Sequence, residues 1–575
     1  MAGKEPITST SVGVSRQSVH RRALDIARAL MIYGLLFGGA AVFSIPFVWM
    51  IGTSLKVDRE MFGDTITLLP QAPIPAATSP HLDGNYFRVS RHEMADRIEP
   101  WVLDGIRNVT LPPESALLPD ADVAHLLFPG VYRKLRDIMP TDHWQLPDDS
   151  LRREVESRIS STMVEQVFRA IYRPLVFSSI RVRSFDLQEK ELTTDRPISE
   201  IWALNDDAPA RMIDDADAVG PFGVLAYDFS GPGHRDSVRL STTLTLPFAA
   251  ERLFRIQLSI VPDDSWHRLD FAFERNGVLY RGMRPAYLGD NQAMVITLQE
   301  YGPEDQSHSG KIRLWYAARE VDRGSQYESR PDHVKVIVTM TESSSLQAWW
   351  AKGYRNYRGA LNYIPFGRYV ATSAFLVILN IVGTLFSCSL VAYAFARLQW
   401  PGRQFSFALM MATMMIPPQV TMIPYFLIIK HLGWYNTLNP LWVVSFFGNA
   451  FNIFLLRQFM KGIPRDLEDA ARIDGCNFMQ VYWHVILPLI KPTLACIAIF
   501  TFMGVWNDFM GPLIYLADQP LYPLSLGLYA LNVQEGGNYG MMMAGSFLMT
   551  LPVVVIFFFA QKYFIQGVTL TGMKG

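Results

Sequence analysis

The chain has 575 residues, half of them hydrophobic and 18% charged, with a formal net charge of −1. That length exceeds a single compact core, and the balanced charge argues against a nucleic-acid binder, which carries a basic domain. The average hides a split: residues 1–56 and 365–575 hold 9 acids and 17 bases, so the outer segments carry +8 and the middle −9. A basic, apolar frame encloses an acidic globular insert. The three cysteines, Cys388, Cys476 and Cys496, all lie in the frame, so the insert can form neither a disulfide nor a metal-thiolate site.

In chain order, residues 1–28 form an N-terminal tail and 29–56 a first apolar span. Residues 57–367 form the insert, and 368–575 carry five more spans. A bilayer core of about 30 Å takes roughly 20 apolar residues as a helix. Six stretches meet that length: Ala29–Leu55, Tyr369–Ala396, Phe405–Ile429, Leu438–Leu456, Leu489–Leu516 and Met541–Ile565. The first is too long for a signal-peptide core and reads as a retained anchor. Arginines and lysines set the orientation. Lys4, Arg16, Arg21, Arg22 and Arg28 precede the first span, Arg397 and Arg403 follow the second, and Arg457, Lys461, Arg465 and Arg472 follow the fourth. The opposite side has Lys430 in one short loop and no Lys or Arg between Ala517 and Gly540. Both termini are therefore expected on the cytoplasmic side of a multi-pass chain, with 57–367 outside.

Within the insert, prolines crowd residues 57–120, which read as irregular. Ser150–Tyr172 reads as one amphipathic helix, with Leu151, Val155, Ile159, Met163, Val167 and Ile171 four apart. Strands are expected over Arg239–Phe248, Leu253–Val261, His267–Glu274, Met294–Gln299, Ile312–Ala318 and Val334–Thr341. Their period-2 alternation and the Asn276-Gly277 turn argue for a sandwich-like β-rich domain over about 170–345, preceded by a helical cap. The pairs Asp206-Asp207, Asp214-Asp215 and Asp263-Asp264 read as solvated loop charges rather than a calcium site. Aromatic residues near His267 and Trp315 read as core rather than a sugar-stacking platform. No metal site is expected.

The segment 463–488 is the informative one. Pro464 can open a helix, Asp466, Glu468 and Asp469 favour its first turn, Ala470 and Ala471 propagate it, and Gly475 suits a left-handed cap. Asn477 can cap a second short helix ending at Leu487-Pro488. Two readings fit these residues: a docking knob at the membrane surface, or a loop packed on its own helices.

Asp469-Ala470-Ala471, three residues, Gly475, nine residues and Val485-Ile486-Leu487-Pro488 resemble the EAA loop of ABC-importer permeases. Asp469 stands for the usual Glu and Val485 for the usual Ile. The blocks Pro46–Lys56, Leu390–Gly402, Pro417–Pro424, Trp506–Phe509 and Gln566–Gly575 narrow the resemblance to the second permease subunit of maltose-type carbohydrate importers. It covers about 30–56 and 350–575 and leaves out the insert. The resemblance implies an α-helical polytopic protein of the bacterial inner membrane, six transmembrane helices of the type I importer permease fold with a large extracytoplasmic insert. It implies a second permease subunit, two ATP-binding subunits and an extracytoplasmic sugar-binding protein as partners, besides the lipid bilayer. It also implies coupling to the ATPases through Glu468, Asp469, Ala470, Ala471, Gly475, Leu487 and Pro488, with Glu468 able to replace the shortened Asp469. The tail Gln566–Gly575 is expected to reach the ATPase pair.

No phosphate-binding G-x-x-x-x-G-K-[ST] loop occurs in the sequence. The chain is thus expected to be no enzyme and to bind no cofactor directly, with ATP and magnesium on the partner subunits. Asn449, Asn452, Asn507 and Asp508 are the polar residues expected in the substrate path. Asp508 is placed within a continuous fifth span. An ion-driven secondary transporter would carry more ionisable residues inside its spans, and a membrane-anchored enzyme would not need the 463–488 loop.

Overall fold

The computed structural model describes residues 16–569, apart from 63–66, 85, 88–92, 119–121, 187–188, 193–196, 206–207, 215–222, 232–235, 290–292, 302–316 and 535–537. Asp206-Asp207, Asp215, Trp315, most of Ile312–Ala318, the tail 1–15 and residues 570–575 lie outside the described residues.

Four described helical stretches are long and apolar enough to cross a membrane: Ala27–Ser54, Phe366–Ala396, Asn439–Gly462 and Tyr539–Gln561. Two further stretches are broken. Arg403–Thr413 and Pro418–His431 meet at 97°, and Phe478–Leu489 meets Lys491–Trp506 at 75°. Phe405–Ile429 is therefore not one straight helix. Pro417-Pro418 explains the break, because proline has no N–H to give and disfavours helical backbone at the residue before it. The fifth stretch likewise stops at Trp506, and a separate short helix, Met510–Tyr515, follows. Phe366–Ala396 is the central strut, packed against Ala450–Gly462 and Lys491–Trp506. Arg16–Ser54 lies against Tyr539–Thr569.

The insert begins with a helical layer. Glu93–Arg107 is a helix despite Pro100, which corrects the expectation of irregular structure there. Its buried Ile98, Val102 and Ile106 pack with Leu127, Val131 and Leu135 of Val123–Ile138. That shared apolar face outweighs the one backbone bond a proline removes. Ser150–Tyr172 is two helices, Asp148–Arg158 and Ser161–Ile171. Ile159 turns extended, and Ser160 caps the second helix by accepting the Met163 N–H at 3.2 Å. A serine whose hydroxyl competes for backbone N–H groups supplies the stop.

The β-rich part follows. Among the described residues, 14 strands form one hydrogen-bonded sheet. Leu253–Val261 pairs antiparallel with Val176–Ser184 and with Met294–Glu300. Arg268–Arg275 pairs antiparallel with Val278–Gly282 and with His333–Thr341, and the latter with Ser237–Thr245. Met294–Glu300 and Ala317–Arg323 form a short parallel pair. The two halves are not separate sheets, but they share one core: Ile256 and Leu258 of one half are buried in the same cluster as Leu240, Phe271 and Val336 of the other. Asn276 and Gly277 both take positive φ, 51° and 71°, the type I′ geometry that matches hairpin twist.

His267 ties the insert together at its base. It is fully buried; its Nε2 donates to the Ala76 carbonyl at 2.8 Å and its Nδ1 accepts the Ser343 N–H at 3.2 Å. The neutral ring satisfies both partners. Burial pushes its pKa below the ordinary 6.5, against the opposing pull of Asp263 and Glu342. The unfolded chain therefore takes up a proton that the folded insert refuses, so stability is present above the ordinary histidine pKa and falls as pH drops below it. Thermal melts of the full chain, followed by tryptophan fluorescence, are expected to show the insert losing stability on acidification below about pH 6.5. His267→Gln is expected to flatten that slope; an unchanged slope would assign the acid sensitivity elsewhere.

Candidate functional site: the segment 463–489 and its anchor

The segment after Ala450–Gly462 folds as its sequence dictates. Asp466–Ile473 is an eight-residue helix with Asp466, Glu468 and Asp469 in its first turn. Gly475 takes φ 86°; its N–H donates to the Arg472 carbonyl at 3.0 Å, and the Cys476 N–H donates to the Ala471 carbonyl at 2.9 Å. These two bonds make a Schellman stop. Asn477 then opens the next turn through a capping box with Gln480. A π-turn over Tyr482–Ile486 carries the chain to Leu487–Leu489.

One face of this segment is sewn to the membrane helices. Tyr393 donates to the Phe478 carbonyl at 3.0 Å, and the hydroxyls of Ser389 and Tyr482 share a hydrogen bond at 2.7 Å. Val481, Tyr482 and Ile486 are buried in one cluster with Cys388, Ala392, Leu456 and Ile497. The strongest link is ionic. Arg397, at the end of Phe366–Ala396, faces Glu468 at 2.9 Å, and the two residues are only 8% and 4% exposed. Neither Arg397 Nε nor Glu468 Oε1 completes an aligned hydrogen bond, so this contact is Coulombic. The same guanidinium donates through Nη2 to the Met460 carbonyl and, at 2.7 Å, to the Ile463 carbonyl. Arg397 thus joins the end of Phe366–Ala396, the end of Ala450–Gly462 and the helix Asp466–Ile473.

The structure divides the motif residues by side. Glu468 is engaged inside the protein by Arg397, whereas Asp469 is exposed, beside Arg472 at 3.6 Å. Ala471 and Leu487 pack against the segment's own core, whereas Ala470 and Pro488 face outward. The outward face adds apolar side chains that the sequence motif does not mark. Ile473 is 87% exposed, and Leu467, Phe478, Met479 and Trp483 are exposed with it. Arg397 was legible in the sequence only as a flanking charge. Its role needs its partner Glu468, on the far side of two intervening apolar stretches, and no local spacing reveals that.

The expected path residues sit at breaks in the helices: Asn449 and Asn452 at a break inside the stretch Asn439–Gly462, Asn507 and Asp508 just past Lys491–Trp506. Asn449 caps Ala450–Gly462, its side chain accepting the Asn452 N–H at 3.1 Å. Asn507 ends Lys491–Trp506, with its side-chain amide on the Met503 carbonyl at 2.9 Å. Asp508 accepts the Gly511 N–H at 3.1 Å, opening the helix that follows. Asp508 is therefore not inside a continuous span, because a side chain that bonds backbone donors favours a break. Among the described residues no hydrogen bond joins Asn449 or Asn452 to Asn507 or Asp508. Asp263 is engaged by Tyr227 at 2.6 Å and by Ser265 at 2.6 Å, and Asp214 by Ser199. The described residues contain no group of three or more metal-ligating side chains.

A second junction holds the insert to the frame. Beyond Ser54 the first helix leaves carbonyls without helical partners, and Asn356 of the helix Ser345–Tyr363 donates to those of Ser54 and Lys56 at 3.0 and 2.8 Å. Lys352, on the same helix, forms a buried ion pair with Glu60 and donates to the Gln71 carbonyl at 2.6 Å. Trp266 of the insert packs with Val57 and Ala348. Entry segment, exit helix and sheet therefore meet at one buried joint.

A frame of four to six apolar helical stretches, with the segment 463–489 anchored to them, is that of a multi-pass membrane protein. Residues 388–569 match the family described as binding-protein-dependent transport system inner membrane component. The arabinooligosaccharides transport system permease protein AraQ of Halalkalibacterium halodurans is 38% identical over 210 residues, 36% of this chain and 74% of that protein. The galactooligosaccharides transport system permease protein GanQ of Bacillus subtilis is 31% identical over 39% of this chain and 79% of its own length. A crystal structure of a bacterial ABC transporter involved in import of the acidic polysaccharide alginate covers 36% of this chain and 79% of the matched chain, with 28% identity and a TM-score of 0.34. The chain belongs to the family of ABC-importer permease subunits. It is a transporter subunit and not an enzyme.

Proposed function

We propose that this chain forms, with a second permease subunit, the transmembrane path for a carbohydrate, and that two separate ATP-binding subunits drive it by alternating access. The observation that carries this reading is the segment Asp466–Leu489: its inner face is fixed to the spans by Arg397–Glu468, Tyr393 and Ser389, and its outer face presents Ile473, Phe478 and Trp483. A push on that outer face is transmitted to Phe366–Ala396, the strut on which Ala450–Gly462 and Lys491–Trp506 pack. With each broken pair counted as one span the chain has up to six, an even number that leaves both termini on one side; the distribution of Lys and Arg supports assigning that side to the cytoplasm and the insert to the outside. The carbohydrate class rests on the sugar-permease relatives. The two-state rocking then needs only that nucleotide and substrate favour different arrangements of the pair. The test is purification of the tagged chain from membranes of its own host. ATP-binding subunits and a second permease are expected to copurify, and their absence would overturn the reading.

The insert is assigned to holding the extracytoplasmic binding protein over the path. Its buried joint to the end of the first span makes docking on the insert a force on the frame. Residues 76–345 expressed alone are expected to fold as a β-rich monomer and to bind the cognate binding protein in a titration. Binding of free oligosaccharide with no affinity for that protein would reverse the assignment.

A further inference from the structure

The helix Ser345–Tyr363 carries more than the joint requires. Its inner stripe, Ala348, Lys352, Asn356 and Ala360, is buried against the frame. Its outer stripe, at the same spacing of four, runs Leu346, Trp350, Tyr354 and Arg358. Leu346 is 84% and Trp350 69% exposed, Trp349 is exposed beside them, and the rings of Trp350 and Tyr354 stack. A soluble face rarely presents two tryptophans, a tyrosine and a leucine together.

Position and charge identify what covers this face. Only Ile364 and Pro365 separate the helix from Phe366–Ala396, and Tyr357 packs edge-to-face on Phe547 of the last apolar helix. The helix is therefore continuous with surfaces that meet the bilayer, at the level where tryptophan and tyrosine concentrate. Ser345–Tyr363 contains Lys352, Arg355 and Arg358 and no acid. From the insert, Arg284 comes within electrostatic reach of Arg358 and Tyr354; burial, then the neighbouring Arg358, pulls its pKa below the ordinary arginine value. Its Nη1 is buried and has no hydrogen-bond partner among the described residues. Two guanidinium groups thus repel one another beside an aromatic face at the membrane boundary, and a bound anion removes that cost.

We propose that this outer stripe, with Arg284 and Arg358, is a docking face for the outer leaflet that takes an anionic phospholipid headgroup, its phosphate between the two arginines and Trp350 and Tyr354 at the headgroup level. The inference goes beyond the transport reading and rests on it only in that Phe366–Ala396 spans the bilayer with the insert on the outer side. The test uses the full complex in bilayer discs containing brominated phosphatidylcholine or brominated phosphatidylglycerol over the same series of densities. The Trp350 signal is taken as the difference between the parent and Trp350→Phe. Brominated phosphatidylglycerol is expected to quench that signal at several-fold lower density, about fivefold for each arginine engaged. Arg358→Gln and Arg284→Gln are each expected to remove about one such factor while transport continues. Equal quenching by the two lipids overturns the headgroup site. Quenching by aqueous acrylamide alone, or by no quencher at all, overturns the lipid face and puts solvent or a protein partner there; neither result touches the copurification of ATP-binding subunits.

Discussion

Replacing Arg397 by methionine is expected to abolish uptake and to lower the amount of folded chain in the membrane. The substitution strands the carboxylate of Glu468, which is 4% exposed, and removes the donor from the Met460 and Ile463 carbonyls. Breaking one side of a buried ion pair costs about 3–5 kcal/mol, and the Ile463 carbonyl, left without this donor, adds about 1–3 kcal/mol, while the Met460 carbonyl keeps the Ile463 N–H at 3.2 Å. A domain holds only about 5–15 kcal/mol in total. Glu468 can escape the penalty only by swinging outward, which unseats Asp466–Ile473 from the spans. The double variant Arg397→Met with Glu468→Met is expected to recover monodisperse protein, because a buried pair replaced by apolar groups of similar volume is often neutral. Size-exclusion profiles and uptake rates measure both effects. Wild-type profiles and uptake for Arg397→Met alone would show that the pair does not hold the segment.

Legibility in the sequence follows how local the determining physics is. The strand Leu253–Val261 is read to the residue, because alternating burial writes itself directly onto the sequence. The Gly475 stop is legible for the same reason: the left-handed backbone, the Asp474 end and the Asn477 cap lie within four residues. Breaks inside apolar stretches are not. Ser150–Tyr172 keeps its period of four across Ile159, and the stop comes from Ser160 alone. Asn507-Asp508 reads as mid-span because nothing in hydropathy records that two short side chains will bond backbone groups instead of extending the helix. The EAA-like pattern identifies the docking segment but not its polarity. Which of Glu468 and Asp469, or of Ala470 and Ala471, faces inward depends on Arg397, about seventy residues earlier.

Ile473→Glu is expected to abolish coupled ATPase activity and uptake while leaving the chain as stable as the parent. Ile473 is 87% exposed and contributes nothing to the core of the segment, so the substitution removes no internal packing. If a partner covers it, the loss is the burial of an isoleucine, about 1.5–3 kcal/mol, or roughly 10–150-fold in affinity. Desolvating the new carboxylate adds to that loss. Ala470→Glu, on the same outward side, is expected to act alike, whereas Ala471→Glu should damage folding as well because Ala471 packs inward. Gly475→Val tests the geometry separately. A Cβ there meets nothing within 4 Å, so the cost is the left-handed backbone alone, about 1–2 kcal/mol or more for a β-branched residue. It is expected to loosen the turn between the two short helices and lower the coupled rate without abolishing membrane insertion. Copurification of the ATP-binding subunits with each variant is the deciding measurement. Retention of those subunits and parental uptake in Ile473→Glu would mean that the outward apolar face is not where they dock.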